Sequence, residues 1–187
     1  MNIGVLSLQG NYLEHCKKIS ELVNVINVKT ENDLLKCDGL IIPGGESTVI
    51  SKMLDYKDLR KSILELKDKI HIMGICAGMI ILSKTENYNN LKTLSIMDFK
   101  VKRNAWGRQI HSFNSKINLS FSNKTINATF IRAPKIISYS NKIKCLAKFN
   151  DEPILLTDGK HLASSFHPEY SHGFDVYNYF FNLIEKS

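Results

Sequence analysis

The sequence has little of what membrane, zinc-binding and disulfide-stabilised proteins need. No apolar run approaches the roughly 20 residues that span a bilayer, and no basic segment followed by a cleavable apolar stretch opens the chain. The four cysteines lie far apart, without a Cys-x-x-Cys pair, so neither a zinc site nor a disulfide framework is indicated. These absences predict a cytoplasmic protein with free thiols, no bound metal and no membrane contact.

The charge pattern gives no sign of a nucleic-acid partner. The net charge is +7, but the 25 basic residues are mostly lysine and are scattered along the chain. Because no basic stripe alternates with aromatic residues and no nucleic-acid motif is present, we expect no nucleic acid to bind. With 187 residues, 43% of them apolar, and no repeat, the chain is expected to be a single domain over residues 1–187.

The first half alternates apolar runs with helical spacing. Runs at residues 3–8, 25–28, 39–42 and 70–74 are typical of parallel strands buried on both faces. Between them, we expect one helix over residues 11–22, a short helix over residues 31–36 and a single long helix from about residue 48 to 66. The apolar face of the first helix is predicted from Leu13, Cys16, Ile19, Leu22 and Val23. This order indicates an α/β fold, a flavodoxin-like, doubly wound, mainly parallel sheet flanked by helices.

The second half of the sequence has a different pattern of apolar and polar residues. Short alternating segments favour antiparallel strands at residues 95–102, 109–113, 116–121, 127–131, 142–149, 153–157 and 161–165. Asp158-Gly159 is a hairpin signal between the last two. Residues 172–186 have aromatic and aliphatic side chains at helical spacing, so we expect a final helix that packs back on the sheet.

Cys76 stands in the pattern Gly74-Ile75-Cys76-Ala77-Gly78, between an apolar strand and an apolar helix. Small residues on both sides of a cysteine at a strand-to-helix turn are what a nucleophile elbow requires. The N–H groups at the start of the helix favour a thiolate and a developing oxyanion. Taken alone, the pattern is more typical of a buried structural cysteine followed by a glycine-containing helix.

Like the elbow, residues 9–10 (Gln-Gly) and 43–48 fall where ligands bind in open α/β sheets, beyond the carboxyl ends of strands. Residues 43–48 (Pro-Gly-Gly-Glu-Ser-Thr) form a glycine-rich loop whose N–H groups can approach a ligand, and Ser47 or Thr48 is expected to cap the next helix. An ordinary strand-to-helix loop is the alternative.

His167 and Glu169 flank Pro168, and in an extended chain they point to the same side. A carboxylate beside an imidazole holds its tautomer, as in a catalytic triad. A surface pair is the alternative.

Together these segments resemble the class I (triad) glutamine amidotransferase family. Residues 8–10 (Leu-Gln-Gly), 43–48, 103–109 (Arg-Asn-Ala-Trp-Gly-Arg-Gln) and 130–134 (Phe-Ile-Arg-Ala-Pro) are similar to its subfamily of glutaminase subunits of pyridoxal 5′-phosphate synthase. The departures are mild: Ala105-Trp106 replaces the commoner Ser-Phe, and Tyr170-Ser171 replaces Leu-Thr.

The resemblance implies hydrolysis of L-glutamine to L-glutamate and ammonia, without a cofactor. It implies a Cys76 nucleophile, a His167 base and a Glu169 that orients His167. By the same resemblance, backbone N–H groups of Gly44, Gly45 and Ala77 form the oxyanion hole. The substrate-binding residues it implies are Gly45, Glu46, Ser47, Arg103, Ile131 and Arg132.

The resemblance also implies a partner, a synthase subunit that consumes the ammonia within a large hetero-oligomer. Gln9, at the end of the first strand, is expected to set the glycine-rich loop when this partner docks. Two other classes remain open: a cysteine hydrolase or chaperone that shares the sheet and elbow, and a catalytically inactive interaction subunit. The first has no need for residues 43–47 or the His167–Glu169 pair, and the second has no need for an intact triad.

Overall fold

The computed structural model describes residues 1–85, 91–103 and 112–186. The strands are β1 Asn2–Leu6, β2 Asn24–Val28, β3 Gly39–Ile42, β4 His71–Ile75, β5 Phe99–Lys102, β6 Ser112–Asn118, β7 Thr125–Ile131, β8 Lys135–Tyr139, β9 Lys144–Phe149, β10 Glu152–Thr157 and β11 Leu162–Ser164. The helices are α1 Tyr12–Ile19, α2 Glu31–Leu34, α3 Ser47–Tyr56, α4 Leu59–Leu66, α5 Ala77–Leu82 and α6 Asp175–Glu185.

A seven-stranded sheet organises the molecule, in the order β2-β1-β3-β4-β11-β10-β9. The pairs from β2 to β11 are all parallel, and β10 runs antiparallel to both of its neighbours. Two antiparallel pairs, β5–β8 and β6–β7, lie outside this sheet. The expected α/β class, with a mainly parallel sheet and antiparallel additions in the C-terminal half, is confirmed.

Apolar side chains cover both faces of the sheet, as near-continuous apolar strands require. One core cluster joins the sheet to α2, α3, α4 and α5. The other joins it to α1, α6 and the β6–β7 pair, and it includes the aromatic side chains of α6. Across the three described ranges, no helix combines the length and apolar character needed to cross a membrane.

The long helix expected after residue 48 is two helices, so that prediction is wrong in detail. The amide of Lys57 donates to the Met53 carbonyl at 3.0 Å and closes α3. Asp58 then has a φ of 56°, in the left-handed region that an α-helix cannot continue through. Apolar spacing persists across the break because α3 and α4 pack on the same core, and this is why the pattern resembles one helix.

The apolar face predicted for α1 is also wrong in part. Leu13 and Leu22 are 64% and 44% exposed, whereas His15 and Ile19 are fully buried. The hydrophobicity of Leu13 suggested the inward face, but the position that points inward carries a histidine. This matters for function, because His15 reaches the residues described below.

The antiparallel segments are placed with mixed success. Residues 116–121 are not a separate strand, because β6 runs unbroken through Asn118 beside β7. β8 was not predicted, and it pairs with β5. Of the strand predicted at residues 109–113, only 112 and 113 lie in the described ranges.

Candidate active site

The carboxyl ends of β1, β3, β4 and β11 are neighbours in the sheet and open on a cavity of about 320 Å³. This volume lies within the roughly 300–1,000 Å³ of small-molecule sites. Each segment that the sequence singled out contributes to its wall. The lining residues are Gln9, Asn11, Gly44, Gly45, Glu46, Ser47, Cys76, Ala77, Ile80, Arg103, Ile131, Arg132, His167 and Tyr170.

Cys76 occupies the predicted elbow, between the last residue of β4 and the first of α5. Its φ of 51° and ψ of −101° form a strained conformation for a residue with a side chain, as expected of a nucleophile held at a sharp turn. Its amide donates to the Ser164 carbonyl at 2.8 Å, which fixes the turn to β11. The thiol lies 3.7 Å from the Ile131 carbonyl and lines the cavity.

Gly78 lets α5 pass against β3, and it yields a first testable prediction. A Cβ added there would lie 2.0 Å from the Ile42 carbonyl oxygen, which is backbone and cannot move aside cheaply. We expect Gly78→Ala to lower the free energy of unfolding by about 2 kcal/mol or more, as overpacking does, measured by urea denaturation. Gly173→Ala is the matched control, because there the added Cβ meets the end of the flexible Asp175 side chain. Equal stability of the two variants would contradict the account of the elbow.

His167 and Glu169 form the predicted pair, with Nδ1 of the imidazole 2.6 Å from Oε1 of the carboxylate. They are not in an extended segment, however, as the sequence argument assumed. His167 is extended and its amide donates to the Thr129 carbonyl at 2.8 Å, but residues 168–170 form a 3₁₀ turn. Pro168 at the first position of the turn curls the chain so that Glu169 reaches back to the imidazole.

The imidazole of His167 is held in its charged form by its neighbours. Burial alone would lower its pKa, but interactions with Cys76 and with Glu169 outweigh burial and raise the pKa of His167 to about 10. Burial likewise opposes ionisation of Glu169, yet the charges and hydrogen bonds around it keep its pKa below the usual value. Since Nδ1 faces Glu169, Nε2 remains for Cys76. The arrangement supports a thiol whose proton passes to a nearby imidazole.

The glycine-rich loop after β3 is hydrogen-bonded to the loop between β1 and α1. The amide of Glu46 donates to Oε1 of Gln9 at 3.0 Å, and the amide of Asn11 donates to the Gly44 carbonyl at 3.2 Å. Gly10 has a φ of 92°, and a Cβ there would lie 1.9 Å from the Gly44 carbonyl oxygen. Thus the tight contact between the two loops requires glycine at position 10.

The helix cap after this loop differs from the prediction. Glu46, not Ser47 or Thr48, caps α3, and its carboxylate accepts from the amide of Thr48 at 3.4 Å and from the hydroxyl at 3.0 Å. Arg103 donates to the same carboxylate at 2.7 Å. Burial would raise the pKa of Glu46, but the bonds from Thr48 and Arg103 lower it.

The remaining predicted residues reach the same cavity. Ala77 begins α5 directly beside Cys76, and Ser47 is buried at the start of α3. Ile131 ends β7, and Arg132 follows it with an exposed side chain and a φ of 42°. Of the predicted segment at residues 103–109, residues 104–109 lie outside the described residues.

Sequence reasoning missed Asn11, His15 and Tyr177 around the triad, and it gave Tyr170 only as a departure from the family pattern. Asn11 donates to Oε1 of Glu169, and its Nδ2 lies 3.5 Å from Nδ1 of His167. Tyr170 lines the cavity with its ring centre 5.9 Å from that of His167. His15 and Tyr177 lie behind Glu169. The one available signal was a histidine in the middle of an otherwise amphipathic helix.

No group of three or more His, Cys, Asp or Glu side chains with metal-site geometry occurs among the residues that the structure describes. The polar groups that line the cavity are instead amide, hydroxyl, thiol, imidazole, carboxylate and guanidinium groups from separate segments. Such a set suits a small polar ligand with charges at one end.

Comparisons with known proteins agree with this geometry. The model of the SNO glutamine amidotransferase family matches residues 5–186. "Pyridoxal 5′-phosphate synthase subunit PdxT" of Thermosipho africanus is 39% identical over 100% of both chains, and the protein of the same name from Pseudothermotoga lettingae is 42% identical over 98% of this chain and 95% of its own. A crystal structure of a glutamine amidotransferase superimposes with a TM-score of 0.93 at 33% identity, covering 98% of each chain. The family expected from the motifs is thereby confirmed. The chain belongs to the SNO glutamine amidotransferase family.

Proposed function

We propose that the cavity at the end of β4 hydrolyses L-glutamine to L-glutamate and ammonia, and that the chain is the glutaminase subunit of a pyridoxal 5′-phosphate synthase. The observation that carries this proposal is that Cys76 and His167, from two distant segments, line one small cavity, with Glu169 buried against His167. Full-length relatives at about 40% identity support the glutaminase and its place in vitamin B6 synthesis.

In the first half-reaction Cys76 attacks the side-chain carboxamide carbon of glutamine. The thiol proton is held by His167, and a carbon–sulfur bond forms as the carbonyl becomes a tetrahedral oxyanion. We propose that backbone N–H groups of Gly44, Gly45 and Ala77 surround this oxyanion and donate hydrogen bonds to it. Each such donor is typically worth about 10²–10³ in rate.

The tetrahedral intermediate then breaks down and releases ammonia. His167 gives its proton to the leaving amide nitrogen, the carbon–nitrogen bond breaks, and ammonia departs from a glutamyl thioester. Water next attacks the thioester, with His167 accepting a proton, and releases L-glutamate and the thiol of Cys76. Throughout, Glu169 keeps Nδ1 of His167 protonated so that Nε2 is the exchanging nitrogen.

The charged end of glutamine needs partners farther from Cys76. Arg132 supplies an exposed guanidinium on the cavity wall, and a guanidinium can bind a carboxylate through two parallel hydrogen bonds. The Arg103–Glu46 ion pair lies on the same wall, so the α-carboxylate and α-ammonium groups can each meet an opposite charge there. Ile131 and Ser47 complete this end of the site.

The ammonia is the useful product, and a synthase subunit consumes it. We propose that the two subunits work as a large hetero-oligomer in the cytoplasm, with residues 1–187 as one glutaminase domain. A direct test is to assay glutamate production by this chain with and without a cognate synthase subunit. We expect turnover that rises in the presence of the partner, and no turnover under either condition would contradict the proposed function.

We expect Gln9 to couple the partner to the glycine-rich loop, and this leads to a second prediction. Gln9→Ala removes the side-chain acceptor of the Glu46 amide, so the glycine-rich loop loses one of the two hydrogen bonds that join it to the loop after β1. We expect glutaminase turnover at saturating synthase subunit to fall at least ~10-fold, a smaller loss than that of a direct oxyanion donor. Partner affinity, measured separately by calorimetry, should stay near the wild-type value. Unchanged turnover would remove Gln9 from the mechanism.

A further inference from the structure

A buried histidine and tyrosine lie on the side of Glu169 away from the cavity, and the proposed mechanism does not use them. His15 is in the middle of α1, Tyr177 is in α6, and both are fully buried. Nδ1 of His15 lies 2.7 Å from the hydroxyl of Tyr177. Nε2 of the same ring lies 3.5 Å from Oε1 of Glu169, with both side chains fully buried. The chain of contacts therefore runs from Tyr177 through His15 to the triad carboxylate.

Burial decides the protonation states along this chain. Burial lowers the pKa of His15 to about 4, against the opposing effect of Glu169, so the imidazole is neutral and carries one N–H. Burial also raises the pKa of Tyr177 well above its usual value, and the phenol keeps its proton. Each group therefore has one proton to donate.

Only one direction of donation suits the carboxylate. If Tyr177 donates to Nδ1 of His15, the imidazole proton is on Nε2 and faces the Glu169 oxygen. The reverse direction places the Nε2 lone pair 3.5 Å from a carboxylate in a buried site, where electrostatic repulsion is poorly screened. The favourable order is thus Tyr177 to His15 to Glu169.

We propose that Tyr177 and His15 form a supporting arm that holds Glu169 ionised and aimed at Nδ1 of His167. Both are positioning residues, because neither lines the cavity. The proposal rests on the proposed glutaminase function for its kinetic consequences, but not for its structural ones. With Asn11 and His167, His15 brings three side-chain nitrogens to within 3.5 Å of a single carboxylate oxygen.

The arm predicts a tautomer that can be observed without any activity. In the wild-type protein, ¹⁵N NMR of labelled histidine should show His15 neutral, with its proton on Nε2, from about pH 5.5 to about pH 8. This is roughly the range in which an ordinary histidine titrates. A proton on Nδ1, or a protonated His15 in this range, would overturn the proposal even if the chain is an active glutaminase. Conversely, a wild-type chain that is inactive with its partner would overturn the proposed function and leave the tautomer measurement valid.

Variants test what the arm does for the triad. His15→Leu removes the N–H that faces Glu169, so the pKa of the carboxyl should rise and the acidic limb of the kcat/KM profile should move up by about one pH unit. We expect kcat to fall about 10–100-fold, in line with the loss of other outer-shell partners, while KM for glutamine changes less than about twofold. His15→Gln can present an amide N–H to the same carboxylate and should recover most of the loss. Tyr177→Phe should shift the profile in the same direction.

Tyr179→Phe is the matched control, because it deletes a hydroxyl from the same helix at a half-buried position outside the arm. It should leave the pH profile and kcat unchanged. The supporting role is overturned if folded His15→Leu and Tyr177→Phe keep the wild-type acidic limb, or if His15→Gln fails to recover activity while matching the thermal stability of the wild type. In either case His15 and Tyr177 contribute to packing and have no effect on Glu169.

Discussion

Cys76→Ala should abolish glutamine hydrolysis while leaving ammonia-dependent synthesis of pyridoxal 5′-phosphate intact in the complex with a synthase subunit. The substitution removes the one sulfur at the elbow, so no thioester can form, whereas the surface that meets a partner keeps its backbone and its remaining side chains. We expect glutaminase turnover to fall at least ~10³-fold, because the nucleophile and its base act as a unit. Glutamate release and pyridoxal 5′-phosphate formation are measured in parallel, with glutamine or ammonium as the nitrogen source.

The chain offers a matched control for this experiment. Cys145 is a free, half-buried cysteine in β9, outside the residues that line the cavity. Cys145→Ala should therefore keep both activities. A glutamine-analogue electrophile should still label this variant at one site, Cys76. Residual hydrolysis above a few per cent in Cys76→Ala, with no contaminating glutaminase, would remove Cys76 as the nucleophile.

The two other functional classes that the sequence left open make different predictions here. A cysteine hydrolase that shares only the sheet and elbow gives no reason for the Gln9–Glu46 hydrogen bond that fastens the glycine-rich loop. An inactive interaction subunit gives no reason for Glu169 to be buried against His167 at 2.6 Å. Labelling of Cys76 by the electrophile separates an inactive interaction subunit from a glutaminase in one measurement.

The main functional segments could be predicted from the sequence because each is a short local pattern with a strict steric demand. The elbow at Cys76 needs small neighbours, and the parallel strands need apolar runs, so both leave a direct trace in the residue order. The carboxyl ends of parallel strands lie at the same edge of the sheet. Segments that directly follow such strands were therefore expected to lie close together. The family resemblance then supplied their roles.

What escaped prediction depends on contacts between distant segments. The role of His15 requires α1 to lie against the 3₁₀ turn that carries Glu169, and no local pattern encodes that contact. The exposed Leu13 shows the same limit, since hydrophobicity alone assigned it to the core. The cap of α3 was misassigned because Glu46 also binds Arg103, 57 residues away, and this contact holds its carboxylate at the helix start.

Glu169→Gln should impair the reaction nearly as much as loss of the base, because it changes both the tautomer and the charge of His167. A glutamine amide can donate to Nδ1, which would put the imidazole proton on Nε2, the nitrogen that must exchange protons with Cys76. We therefore expect kcat to fall by about 10²–10⁴-fold. The carboxylate is also one of the groups that raise the pKa of His167 to about 10 against the effect of burial. Without it, burial is opposed by Cys76 alone and the pKa of His167 should fall.

The sign of the pH effect follows from that fall. In the wild type the imidazolium persists through neutral pH and is lost only as pH rises towards about 10, so the alkaline limb of kcat/KM should lie near that value. In Glu169→Gln the limb should move down by at least about one pH unit, since removal of an adjacent opposite charge destabilises the protonated imidazole. Glu152→Gln, which changes a carboxylate paired with Lys135 at 2.7 Å and away from the cavity, should leave the profile unmoved. A Glu169→Gln enzyme with the wild-type alkaline limb would mean that Glu169 acts on the orientation of His167 alone and contributes nothing to its charge.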